Sequence, residues 1–165
     1  MKVIIVMGVA GSGKTTIGKL LAEKLHWKFS DADDYHPPAN VAKMSAGHPL
    51  SDEDRAPWLG ILRSNIQSWI NSNVPTVLAC SALRSSYRDI LDVDDNVGIV
   101  YLKGDYQLFE SRLSSRHGHF MKSGMLASQF ETLEEPKGAC TIDAAKDPGT
   151  IVQEILAQLG VQPPA

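Results

Sequence analysis

Five short apolar runs recur along the chain, separated by longer stretches in which apolar residues return every three or four positions. The runs are KVIIVM at 2–7, a weaker WKFS at 27–30, TVLAC at 76–80, VGIVYL at 97–102 and ACTID at 139–143. They read as strands, and the spacing between them predicts helices near 14–26, 38–46, 54–72, 84–91, 105–117, 125–134 and 148–159. A strand that is apolar at successive positions has no solvent face, so the runs imply a parallel sheet covered by helices on both sides. The stretch at 54–72 is the clearest helix. Ser51 and Asp52 are placed to cap it, Pro57 suits a first turn, and Trp58, Leu62, Ile66, Trp69 and Ile70 form one apolar stripe that reads as core. The closing VQPPA reads as a fraying tail.

With 165 residues, the chain has material for one domain with a real core, 1–165, and too little for two of ordinary size. Neither a repeat nor a low-complexity tract interrupts it. A composition 43% hydrophobic and 21% charged argues against extensive disorder, and a formal charge of −3 offers no basic surface for nucleic acid. Cys80 and Cys140 share no metal-type or redox spacing and read as buried, reduced thiols of a cytoplasmic protein. The apolar run before Gly8 is too short for a signal peptide or a membrane span, so no membrane partner is expected.

Chemistry enters at GVAGSGKT, residues 8–15, directly after the first strand. Gly8, Gly13, Lys14 and Thr15 fit the pattern G-x-x-x-x-G-K-[ST], and TTIGKLLAEKL supplies the helix that must follow. Glycines let the backbone wind so that successive amides face one anion, and the helix adds its positive end. The candidate nucleotide site therefore runs from Gly8 through Val9, Ala10, Gly11, Ser12, Gly13, Lys14 and Thr15 to Thr16. Lys14 suits the outer phosphates of ATP, and the Thr15 hydroxyl suits Mg²⁺.

Ligands of open parallel sheets lie beyond the carboxyl ends of the strands. At the end of the second strand the sequence reads SDADDYH, and an extended backbone would turn Asp31 and Asp33 the same way. Asp31 then suits magnesium, through water, and Asp33 an acceptor hydroxyl, with a plain acidic turn as the competing reading. Arg112 and Arg116 stand one helical turn apart without a carboxylate at helical spacing, which points to an external anion or to a solvated face. Beyond them Gly118 and Gly124 bracket a candidate lid, while His117 and His119 lack a third metal ligand. Ser81, Arg84 and Arg88 follow the third strand, and His36, Asn40, Lys43 and Arg55 lie in the insert before it. These groups suit an acidic, hydroxyl-rich acceptor, though each alone also suits a surface or a cap.

Taken together, MGVAGSGKTT, DADDYHPPANVAKMSAGHPLSDEDRAPWL, CSALRSSYRDIL, YLKGDYQLFESRLSSRHGHFM and SQFETLEEP resemble the gluconokinase family of small P-loop kinases, related to the shikimate kinase and adenylate kinase folds. The resemblance spans nearly the whole chain. It implies an α/β P-loop fold in three α/β/α layers, with a five-stranded parallel sheet, a helical acceptor-binding segment at about 34–72 and a lid at about 117–125. It implies ATP-dependent phosphorylation of D-gluconate at its terminal hydroxyl, with Mg²⁺, commonly by a homodimer. By motif position Asp33 resembles the group that meets the acceptor hydroxyl, Arg55 an acceptor-binding arginine and Arg116 the lid arginine near the transferring phosphate. The remaining candidates are Arg112 for the nucleotide and His36, Lys43, Ser81, Arg84 and Arg88 for the acceptor. Hydrolysis serving a partner-binding switch is the rival from another class, and a stretch of the N-K-x-D type that reads guanine is not present.

Overall fold

A computed structural model describes residues 1–115 and 123–165. Five strands, β1 (Val3–Met7), β2 (Lys28–Asp31), β3 (Thr76–Ala79), β4 (Val97–Lys103) and β5 (Cys140–Asp143), form one parallel sheet in the order β2-β3-β1-β4-β5. Among the described residues, the helices are α1 (Lys14–Leu25), α2 (Pro38–Ser45), α3 (Asp52–Asn71), α4 (Ser85–Leu91), α5 (Tyr106–Ser114), α6 (Ser123–Thr132) and α7 (Pro148–Leu159).

The central strand explains the layering. All of β1 is buried, and its alternate residues enter different cores. Ile4 and Val6 pack with Ile17 and Leu21 of α1, Phe109 of α5, Leu126 of α6 and Ile155 of α7. Val3, Ile5 and Met7 pack with Leu62 and Ile66 of α3 and with Leu91 of α4. Both faces are thus closed by helices, the three-layer arrangement that consecutive apolar positions required. No described helix is long and apolar enough to cross a membrane.

The local signals for α3 resolve in detail. The Ser51 side chain accepts from the Asp54 amide at 3.1 Å while Asp54 Oδ2 accepts from the Ser51 amide at 2.8 Å, a reciprocal cap that starts the helix at Asp52, earlier than the apolar spacing indicated. Pro57 therefore falls in the second turn and not the first, where it withholds one helical amide from the ladder.

Register brings the chemistry to one edge. Asp31 pairs with Ala79, Ala79 with Val6, and Met7 with Tyr101, so the segments leaving β1, β2 and β3 emerge side by side. One expectation fails there. Asp31 ends β2, and Ala32–Tyr35 wind into a 3-10 turn instead of running on extended. The cause is local: the Asp31 carboxylate accepts from the Asp33 amide at 3.0 Å and starts the turn.

Candidate active site

Where those segments leave the sheet, a cleft of about 540 Å³ opens between the glycine-rich loop, the turn after β2, the start of α3, the loop after β3 and one side of α6. Its size suits a small-molecule site.

At one end lies the loop. Gly13 caps α1 with a left-handed backbone, φ 96°, no side chain caps the helix, and its first turn carries no acid. The amides at the start of α1 are thus left for an anion. Gly11 has φ 80°, and a Cβ there would stand 2.8 Å from the Phe109 carbonyl oxygen, so α5 presses on a loop that only glycine can form. Lys14 Nζ donates to the Val9 carbonyl at 3.0 Å and lines the cleft together with Ala10, Gly11, Gly13 and Thr15. Ser12 Oγ is buried beneath the loop, without a hydrogen-bond partner among the described residues. Thr16 is exposed and lies outside the cleft lining.

The other end is made of side chains. Asp31 and Asp33 both line the cleft, as do His36, Arg55 and Ser81. The Asp33 side chain is 83% exposed to the open cleft. Even so, loss of water to the cleft walls, followed by the Asp31 charge, raises its carboxyl above the usual range, with His36 and Lys14 pulling the other way. Lys14 and Asp33 thus line the same cleft from its two ends.

Arg55 is aimed by a network. Its Nη1 donates to the Tyr87 hydroxyl at 3.0 Å and lies 3.8 Å from Asp52, and the same hydroxyl donates to Asp52. Loss of water, then the bond to Asp52, raises the Tyr87 phenol, which stays neutral and bridges cation to anion. Trp58, read from sequence as core, is indeed 4% exposed, yet it also lines the cleft and stacks on His36, centroids 4.3 Å apart at 13°.

Several candidates stand elsewhere. Arg88, assigned from sequence to the acceptor, is buried and lies outside the cleft lining. It donates to the Ala82 carbonyl at 2.8 Å, the Leu83 carbonyl at 3.1 Å and the Glu134 carbonyl at 2.8 Å. Its guanidinium satisfies a loop whose Ala82 has φ 45°, and it ties the segment after β3 to the one after α6. Lys43 pairs with Asp54 at 2.6 Å, and Arg84 Nε lies 3.9 Å from Asp52; neither lines the cleft. Arg112 stands against the phosphate loop, donating to the Ala144 carbonyl at 2.6 Å and reaching the Gly11 carbonyl at 3.5 Å. Those two carbonyls hold the guanidinium beside the loop to which the sequence assigned it. Arg116, His117, Gly118 and His119 lie outside the described residues, as does most of the expected lid.

Sequence reading missed α6 as a wall. Met125, Ser128, Gln129 and Thr132 line the cleft, and Gln129 Oε1 accepts from the Ala10 amide of the phosphate loop at 2.7 Å. Nothing in SQFET marks a glutamine for that bond, because its partner is 119 residues away. Cys80 also lines the cleft, where burial pushes its thiol up to about 12 and keeps it protonated near neutral pH.

Thr15 and Asp31 offer two hard oxygens beside the loop, a donor set suited to a magnesium ion that keeps most of its water and takes phosphate oxygens for the rest. No cluster of three or more His, Cys, Asp or Glu capable of holding a metal occurs among the described residues.

Comparison with known proteins gives concordant results. The shikimate kinase family model matches residues 10–159. The chain is 45% identical to the thermoresistant gluconokinase of Escherichia coli strain K12 over 135 residues, covering 81% of this chain and 77% of that one. It is 41% identical to the gluconokinase of Gluconobacter oxydans, over 93% of this chain and 88% of the other. The crystal structure of a gluconokinase from Sinorhizobium meliloti superposes with a TM-score of 0.86 at 42% identity, covering 95% and 90% of the two chains.

Proposed function

The chain belongs to the gluconokinase family of P-loop kinases, and from that premise we propose that it transfers the γ-phosphoryl group of ATP to the terminal hydroxyl of D-gluconate, giving 6-phospho-D-gluconate and ADP. The observation that carries this reading is one cleft with the phosphate loop and Lys14 at one end and Asp33 and Arg55 at the other.

In this mechanism the loop amides and Lys14 hold the β- and γ-phosphates and draw charge toward themselves as the bridging bond lengthens. Asp33 accepts the hydroxyl proton and aligns the acceptor oxygen for in-line attack on the γ-phosphorus, and the bond to the β–γ bridging oxygen breaks as ADP leaves. A raised carboxyl favours this role, since a base that is too acidic takes no proton. Arg55, held by Tyr87, binds the carboxylate or hydroxyls of the sugar acid, and His36 and Ser81 complete the acceptor wall. Thr15 and Asp31 would hold Mg²⁺, which when bound would supply neutralisation of phosphate charge. Arg116, from the lid, stabilises the charge that develops during transfer, as its motif position implies.

A cytoplasmic homodimer completes the reading. The dimer is what the family resemblance of the motifs implies, and two unpaired, buried cysteines suit a reducing compartment.

The test is ADP release from Mg-ATP with purified protein against a panel of sugar acids, shikimate and nucleoside monophosphates. Gluconate is expected to be preferred. Faster turnover with shikimate or a nucleotide would overturn the acceptor, and nucleotide-dependent partner binding without any acceptor phosphorylation would replace the enzyme reading with a switch.

A further inference from the structure

Asn40 is a buried polar side chain, 5% exposed, that the transfer described above does not use. Its Nδ2 lies 2.9 Å from the Asp54 carbonyl oxygen and 3.3 Å from His36 Nδ1. The carbonyl fixes the orientation of the amide, because a carbonyl only accepts and the flipped side chain would set two oxygens face to face. With one amide hydrogen on Asp54, the other points at His36 Nδ1, which must then accept. A neutral imidazole carries a single ring proton, so that proton sits on Nε2.

His36 Nε2 faces Asp33 Oδ1 at 3.7 Å. The ring is kept from swinging away by its stack on Trp58, whose indole N–H donates to the Ala32 carbonyl at 2.7 Å. The His36 side chain is 4% exposed, and loss of water lowers its pKa, with Asp33 opposing and Arg55 reinforcing. The imidazole is neutral, the condition under which tautomer matters.

We propose that Asn40 is a positioning residue that, anchored on the Asp54 carbonyl, locks His36 as its Nε2–H tautomer and so leaves Asp33 as the proton acceptor at that wall of the cleft. Were Nε2 the bare nitrogen, a second acceptor would stand beside the carboxylate, and a sugar hydroxyl could donate to either. As an N–H it offers the hydroxyl no lone pair and steadies the carboxylate opposite. The consequence for transfer rests on the proposed function; the tautomer does not.

Ring nitrogen–proton correlation spectra of ¹⁵N-histidine-labelled protein read the tautomer directly, with His36 assigned by the signals lost in His36→Gln. The expected result for the unmodified protein is a proton on Nε2 and none on Nδ1. Asn40→Asp places an acceptor opposite Nδ1 and is expected to bring a proton there, while kcat/KM for gluconate falls about ten-fold, the equivalent of one hydrogen bond, and KM for ATP holds. A proton on Nδ1 in the unmodified protein overturns the proposal, as does an Asn40→Asp protein with Nδ1 still bare. If that variant does not fold, Asn40→Ala serves: a mixture of tautomers is expected, and an undisturbed Nε2–H counts against the lock. A protein with the expected tautomer that ignores gluconate would sink the assigned reaction and leave the lock standing.

Discussion

At the phosphate end, the cleft lining comes from one contiguous segment, Ala10, Gly11, Gly13, Lys14 and Thr15, whose path is set by glycines with positive φ. At the acceptor end they are side chains drawn from the turn after β2, the first turns of α3 and the loop after β3. The phosphate end depends on a backbone path that few residues can follow. The acceptor end depends on orientations relayed through Asp52, Tyr87, Asn40 and Trp58. Binding an anion common to all nucleotides needs only the first, whereas choosing one hydroxyl of one acid needs the second.

Substitutions at the two ends should therefore separate cleanly. The largest effect is expected at Asp33. Asp33→Asn removes the proton acceptor with little change in volume and should lower kcat by about 10²–10⁴-fold with nucleotide affinity little altered. Turnover near the wild-type level would remove Asp33 from the chemistry. Gly11→Ala should act at the opposite end. Its Cβ meets the Phe109 carbonyl in a backbone conformation costly to alanine, and ATP affinity by calorimetry should fall on the order of 10²-fold, with gluconate binding retained. Equal loss of both ligands would erase the distinction between the ends.

Arg55→Met keeps length and removes the guanidinium. It should raise KM for gluconate by about ten- to a hundred-fold, the range for a hydrogen bond to a charged group, and leave KM for ATP unchanged. The smallest effect concerns the cap of α3. Hydrogen bonds from Lys43 first, then from Ser51, hold the Asp54 carboxyl down at about 2. A depressed folded-state pKa stabilises above the unfolded value, 3.8, and that contribution is lost as pH falls through about 2. Asp54→Asn should lower Tm by roughly a few degrees at neutral pH, and the gap should close toward pH 2. A gap independent of pH would place the effect outside the ionised cap.

The same contrast explains what the chain disclosed in advance. The five strands, the loop and the helix behind it were legible because each signal lies within one contiguous segment. Asp31 and Asp33 were rightly placed together at a strand end, but the extended backbone drawn for them was wrong, since the Asp31 side chain itself turns the chain. Arg55 and Arg88 looked alike as candidate cations. One reaches the cleft beside Tyr87, while the other fastens three carbonyls from two distant loops.

Periodicity and the glycine-lysine signature, read along the chain alone, determined the layered α/β fold and the position of the glycine-rich loop at the head of α1, because hydrophobic period and backbone freedom are properties of neighbouring residues. Only the tertiary structure decided which charges face the acceptor, and through Asn40 which nitrogen of His36 carries its proton. Those outcomes depend on a carbonyl 14 residues away for Asn40 and one 46 residues away for Arg88, contacts that exist only once the helices have packed.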